Sequence, residues 1–197
     1  KKAFDVKKTD RFLLPSLDFP IEDKKQFDLI YEFKKEKFKD IWKDLMVRDI
    51  KDFVHNLISI LGLKKTAERL QINKKTLNNY YVSRDSIPFK ILVSLLNLHN
   101  LSIKEIPDCS LGFKRDHTKI KRFIPVDESL MKICGYYIAE GFYRKCHDGY
   151  QVDLAVSEND LRNDMLESIK NSFGERFSPY INENRITISN RVLYYFF

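Results

Sequence analysis

The stretch Ile133-Cys134-Gly135-Tyr136-Tyr137-Ile138-Ala139-Glu140-Gly141 constrains this chain more than any other. It reads as the last turns of a helix with small residues on one stripe and an acid at its end. Gly135 and Ala139 share one helical face. Side chains that small let a second helix backbone come close. Glu140 stands just before Gly141, a residue suited to the left-handed conformation that ends many helices. An acid there is locally unfavourable. The C-terminal end of a helix is partly negative, so a carboxylate costs roughly 0.3–1 kcal/mol where a lysine would help. The unpaired carbonyls of that end, together with Glu140, are hard oxygen donors of the kind Mg²⁺ prefers. A residue placed against local preference marks a candidate site.

The residues that follow extend the pattern. Phe142-Tyr143-Arg144-Lys145 and Tyr150 to Val156 read as a β-hairpin, with Asp148-Gly149 at the turn. Ser157 to Phe173 reads as a helix and Phe177 to Ser189 as a second hairpin. A closing helix is expected to begin near Asn190-Arg191.

The nonapeptide, followed in this α-β-β-α-β-β order, resembles the signature of the LAGLIDADG homing endonucleases. The likeness is to the archaeal and intein-borne forms in which the acid is Glu, and it covers Phe123 to Phe197. It implies an αββαββ(α) half-domain in which two such helices pack side by side above a saddle-shaped sheet. It implies that Glu140 is the catalytic acid and a ligand of a divalent cation such as Mg²⁺, with Gly141 lending a carbonyl. Gly135 and Ala139 become the helix–helix interface. The metal would activate water and stabilise the leaving oxygen, leaving the protein to supply position and charge. A single acid motif is visible, so the second half is expected from a homodimer or from further chain. The first residue is Lys1, and Leu193 to Phe197 is apolar, which predicts a piece of a longer protein.

Strand alternation sorts the hairpin residues. Val152, Leu154 and Val156 are expected to face the helices, and Gln151 and Asp153 the opposite, DNA side. Arg144, Lys145, His147, Arg185, Thr187 and Ser189 are further candidate groove contacts; each is also an ordinary solvent-facing strand position.

Residues 1–25 read as an extended arm, with Pro15 and Pro20 among aromatics. Residues 26–107 read as an all-α region. Gln26 to Met46 and Asp49 to Leu61 carry helical apolar stripes. Lys64 to Leu70, a turn at Gln71-Ile72-Asn73, and Lys74 to Tyr81 resemble a helix-turn-helix, placed at about 64–81. Ala67, Leu70, Ile72, Leu77 and Tyr80 take its buried positions. Gln71 stands where that motif usually has Gly, and Asn73 suits an N-cap. Lys74, Lys75, Asn78 and Asn79 then occupy the recognition helix. Asn can pair with adenine and Lys with phosphate or guanine in the major groove. Pro88 falls near the first turn of a helix built on Phe89, Leu92, Val93, Leu95 and Leu96. Residues 108–122 are polar and aperiodic and read as a linker. Its Lys114, Arg115, Lys119 and Lys121, with Arg122, are placed to follow a DNA backbone. The fold class expected is therefore α+β, with a helical DNA-binding region ahead of one half-domain.

A net charge of +7, from 35 basic and 28 acidic residues, suits a polyanionic partner, here double-stranded DNA. Three scattered cysteines argue against a disulfide framework and for a reducing compartment; the expected setting is cytoplasmic, near the nucleoid. No apolar run reaches membrane-spanning length. Cys146-His147 lacks a second pair at zinc-ligand spacing, and there is no phosphate-cradling glycine loop and no nucleophile triad. Three activities fit: a Mg²⁺-dependent, site-specific double-strand DNA endonuclease, a non-cleaving DNA-binding regulator on the same fold, or an RNA-splicing maturase.

Overall fold

The structure is a computed structural model, and it describes residues 25–80, 84–114, 116, 118–146, 149–174 and 177–197. The N-terminal arm, except Lys25, and the candidate contact His147 lie outside the described residues. The fold is α+β with antiparallel sheets.

The region expected to be all-α contains a sheet. Strands β2 (Leu45–Arg48), β3 (Ser86–Pro88), β4 (Ser110–Phe113) and β5 (Ile120–Lys121) run in the order β3-β2-β4-β5, all antiparallel. Helices α2 (Lys51–Leu61), α3 (Leu63–Leu70), α4 (Lys74–Asn78) and α5 (Phe89–Leu98) also belong to this region. Pro88 ends β3 and is the N-cap of α5, next to its first turn as expected. The expected helix from Gln26 to Met46 is broken into β1 (Gln26–Asp28), α1 (Leu29–Phe33), a 3₁₀ segment (Glu36–Ile41) and β2. Asp28 caps α1 by accepting from the Ile30 and Tyr31 amides, so the chain cannot be helical through that point.

Residues 108–122 do not form a linker. Ser110, Leu111, Gly112 and Phe113 are all buried in β4, at the middle of the sheet. Of the basic residues expected on DNA, Lys114 Nζ lies 3.2 Å from Asp44 and Lys119 Nζ 2.9 Å from Asp49, Lys121 is exposed, and Arg115 lies outside the described residues. Arg122 is almost fully buried. Its Nε and Nη2 bind the two Asp28 oxygens at 3.0 and 2.7 Å, and it also donates to the carbonyls of Ile103 and Ile106. This fork ties the start of the described chain to β6 (Phe123–Pro125), which pairs with β1 from Gln26↔Pro125 to Asp28↔Phe123.

Beyond β6 the elements run α6 (Glu128–Glu140), β7 (Gly141–Cys146), β8 (Gly149–Ala155), α7 (Asn159–Phe173), β9 (Tyr180–Asn182), β10 (Arg185–Ile188) and α8 (Arg191–Phe196). The four strands form a second antiparallel sheet in the order β7-β8-β10-β9. Val152, Leu154, Ile186 and Ile188 are fully buried on one side, as alternation requires. Asp127 caps α6 at the Leu130 amide, 2.9 Å, and Asn190 caps α8 at the Leu193 amide, 3.1 Å.

The apolar run in α8 is a wedge between the two regions. Tyr194 meets Tyr143 and Tyr150 with ring centres 5.3 and 4.9 Å apart. Tyr195 meets Phe38 and Phe113, Phe196 meets Phe27, and Phe197 meets Tyr137 and Phe173. Arg191 stacks over Phe113 and Tyr150 at 4.1 and 4.4 Å. The buried apolar residues of both regions form one continuous core.

Candidate nucleic-acid interface

The end of α6 carries Glu140, which is exposed. Gly141 is not left-handed. With φ −94° and ψ 150° it is extended and opens β7 directly. Its need for glycine is steric instead. A Cβ there would lie 2.5 Å from both the Cα and the carbonyl oxygen of Tyr137, closer than real Cβ atoms come to backbone. The helix therefore turns into the strand with no room for a side chain, and this fixes where the Glu140 carboxylate leaves the backbone.

One face of α6 is bare. Gly135 and Ala139 are exposed, Ile138 is 85% exposed and Met131 57%. A Cβ built on Gly135 would meet no atom within 4 Å. The opposite side of α6 is held by α7. Lys132 Nζ lies 2.9 Å from Asp164, and the Tyr136 hydroxyl donates to the same carboxylate. The Tyr136 hydroxyl and then the Lys132 ammonium hold the Asp164 carboxyl below the usual carboxylate range. Next to Glu140 a groove runs along Tyr136, Ala139, Val156, Glu158, Leu161 and Asn184. Glu158 and Asn184 were not singled out by sequence, since no local pattern marks them.

The sheet side turned away from the helices is polar. Pairing places Phe142 opposite Asp153, Arg144 opposite Gln151, Thr187 opposite Asp153 and Asn182 opposite Arg185. Gln151 and Ser189 share this side, with Nε2 3.5 Å from the Ser189 hydroxyl. Phe142 and Tyr180 stand exposed among these polar groups. Alternation from Arg144 would have placed Phe142 here. Three expected contacts are corrected. Lys145 is on the other side, its Nζ 5.5 Å from the Tyr150 ring centre. Asp153 and Thr187 point to the polar side but are buried beneath it, so neither presents itself to a groove.

In the helical region, Ala67 and Leu77 are buried where α3 and α4 cross, and Leu70, Ile72 and Tyr80 pack against the core. Gln71 takes the left-handed conformation, φ 54°, that the turn demands. Asn73 accepts from the Lys75 amide at 2.8 Å. Lys74, Lys75 and Asn79 are exposed, Asn78 is half-buried, and with Leu63 they line a shallow groove.

Among the described residues no group of three or more His, Cys, Asp or Glu side chains could hold a metal ion. The Glu140 carboxylate is an oxygen donor of the kind Mg²⁺ takes, and Mg²⁺ needs few protein ligands because water and phosphate complete its shell. No helix among the described residues is long and apolar enough to cross a membrane.

No protein-family model matches the chain. It is 35% identical over its 197 residues to the DNA polymerase II large subunit of Thermococcus kodakarensis. The match takes in all of this chain and 10% of that protein, so the chain spans about a tenth of the length of the curated relative it matches.

Proposed function

We propose that this chain carries one half of a LAGLIDADG-type, site-specific endonuclease that cuts both strands of duplex DNA with a divalent cation such as Mg²⁺. The observation that carries the reading is the exposed Glu140 at the end of a helix whose Gly135/Ile138/Ala139 face is uncovered. A stable monomer has no use for an isoleucine 85% exposed beside a mid-helix glycine, which costs roughly 0.5–1 kcal/mol against alanine. Both become favourable when a like helix packs there, from a second copy or from a second half in the same polypeptide. That packing would bring a second acid beside Glu140 and complete the cation's ligands.

The polar sheet side, with Arg144, Arg185, Gln151 and Ser189, would lie on the DNA. Lys74, Lys75, Asn78 and Asn79 of α4 would extend the contact along a longer site, as a helix-turn-helix does. In the bound state the cation would supply an activated water and neutralise charge on the leaving oxygen. The match to a tenth of a DNA polymerase subunit supports an element embedded in a larger polypeptide, the setting of an intein-borne nuclease.

A randomised duplex library, incubated with the full-length polypeptide and Mg²⁺ and read by end-sequencing, tests this. Cutting at one sequence is expected, with Glu140→Gln bound to the same sequence but inactive. Equal cutting by both removes Glu140 from the chemistry. The absence, among the described residues, of three or more grouped His, Cys, Asp or Glu side chains also suits a non-cleaving regulator, for which sequence-specific binding without any cut by the wild type is the signature.

A further inference from the structure

The centre of the polar sheet side holds a residue that a simple groove contact does not explain. Asp153 lies on β8, between β7 and β10, and its side chain is 0% exposed. Directly opposite it on the two neighbouring strands are Phe142 and Thr187, and the Thr187 hydroxyl donates to Oδ1. Two arginines reach it diagonally. Arg144, paired with Gln151, approaches from one end of the strand, and Arg185, paired with Ala155, from the other. Arg144 Nε is 2.9 Å from Oδ2 and Arg185 Nε 3.8 Å from Oδ1. The Arg144 contact is an ion pair off the line of a directed hydrogen bond, so Oδ2 is buried with a charge but no bonded donor.

Burying a carboxylate costs several kcal/mol in lost hydration, and a valine or threonine would serve a strand centre better. The arrangement makes sense by what it does to its partners. Both arginines touch the carboxylate through Nε, the nitrogen nearest the stem, so the two terminal nitrogens of each fork lie further out. Their side chains are still 42% and 33% exposed. One negative and two positive charges leave the trio with a net positive charge, displayed between Phe142 and Tyr180. A planar fork held in place is suited to phosphate oxygens.

We propose that Asp153 is a positioning residue for DNA-backbone binding, holding Arg144 and Arg185 as a paired phosphate clamp. This rests on the reading of the sheet as the DNA side. The discriminating feature is a sign. Asp153→Asn raises the net positive charge of the chain, which by itself strengthens binding to a polyanion. Loss of positioning weakens it.

Binding of random-sequence duplex of about 25 base pairs, in EDTA and across a salt series, separates the two effects. Asp153→Asn is expected to bind roughly tenfold more weakly near 100 mM salt, with a salt slope lower by about one to two phosphate contacts. Unchanged or tighter binding overturns the proposal. In an Arg144→Ala/Arg185→Ala background, adding Asp153→Asn is expected to cost nothing more; a further tenfold loss shows that Asp153 does not act through them. If Asp153→Asn fails to fold by circular dichroism, Thr187→Val removes only the hydroxyl that orients the carboxylate. It is expected to weaken binding roughly threefold, and no change overturns the proposal. No DNA binding by the wild type defeats both the DNA reading and this proposal, whereas binding indifferent to Asp153 defeats this proposal alone.

Discussion

The seam between the two regions of the molecule and the outer surface of its C-terminal region treat the same kinds of residue in opposite ways. At the seam a cation is buried: Arg122 has its fork filled by Asp28 and two carbonyls, and the four consecutive aromatics Tyr194 to Phe197 are packed against rings on both sides. On the outer surface an anion is buried and the cations are displayed, as Asp153 sits under Arg144 and Arg185. There too an isoleucine and two small residues are left uncovered. Under the proposed function, the faces that α6 and the polar sheet leave open are the ones that a second half and DNA would cover.

Substitutions can break this contrast. The largest effect is expected at the seam. Arg122→Ala removes the charge partner of Asp28 and the guanidinium donors to the Ile103 and Ile106 carbonyls, and urea unfolding should show a loss of about 3–5 kcal/mol. Lys at the same position should recover little of it, because one ammonium cannot fill four acceptors in a fork geometry. A loss under about 1 kcal/mol would mean that the seam is not closed by this pair.

The two glycines of α6 and its end sharpen the contrast, since they should respond with opposite signs. Gly141→Ala drives a methyl into the Tyr137 backbone and should cost about 1–3 kcal/mol by thermal unfolding. Gly135→Ala adds a methyl in open space on a helix and should stabilise the isolated chain by about 0.5–1 kcal/mol. The gain at Gly135 should be offset by weaker self-association or half–half packing, read by sedimentation. A destabilised Gly135→Ala monomer would show that this face is already covered.

Much of the C-terminal region can be read directly from its sequence, because its signals are strong and local. Val152, Leu154, Ile186 and Ile188 alternate with polar residues, and Asp127 and Asn190 stand where caps are needed. The α3–α4 pair was visible in Ala67, Ile72 and Leu77, although Gln71 must hold a left-handed turn without being glycine. The strands of the first sheet were hidden for a physical reason. Ser110-Leu111-Gly112-Phe113 is buried on both sides, so it shows no alternation, and its small residues look like loop. Phe27, Ile30, Tyr31 and Phe38 mimic a helical stripe while belonging to a strand, a short helix and a 3₁₀ turn. At the candidate site, alternation told which way Asp153 points but not how deep it lies. Depth depends on Arg144 and Arg185 arriving from two other strands.

Arginine modification by phenylglyoxal, mapped by mass spectrometry with and without bound duplex, tests most directly whether the polar sheet is the DNA side. Arg144 and Arg185 are expected to react in the free protein and to be protected in the complex, while buried Arg122 stays unreactive in both. If Arg144 and Arg185 react equally in both states while Arg69 beside the α3–α4 turn is protected, DNA is held by the helical region alone. The endonuclease reading of the sheet would then be contradicted.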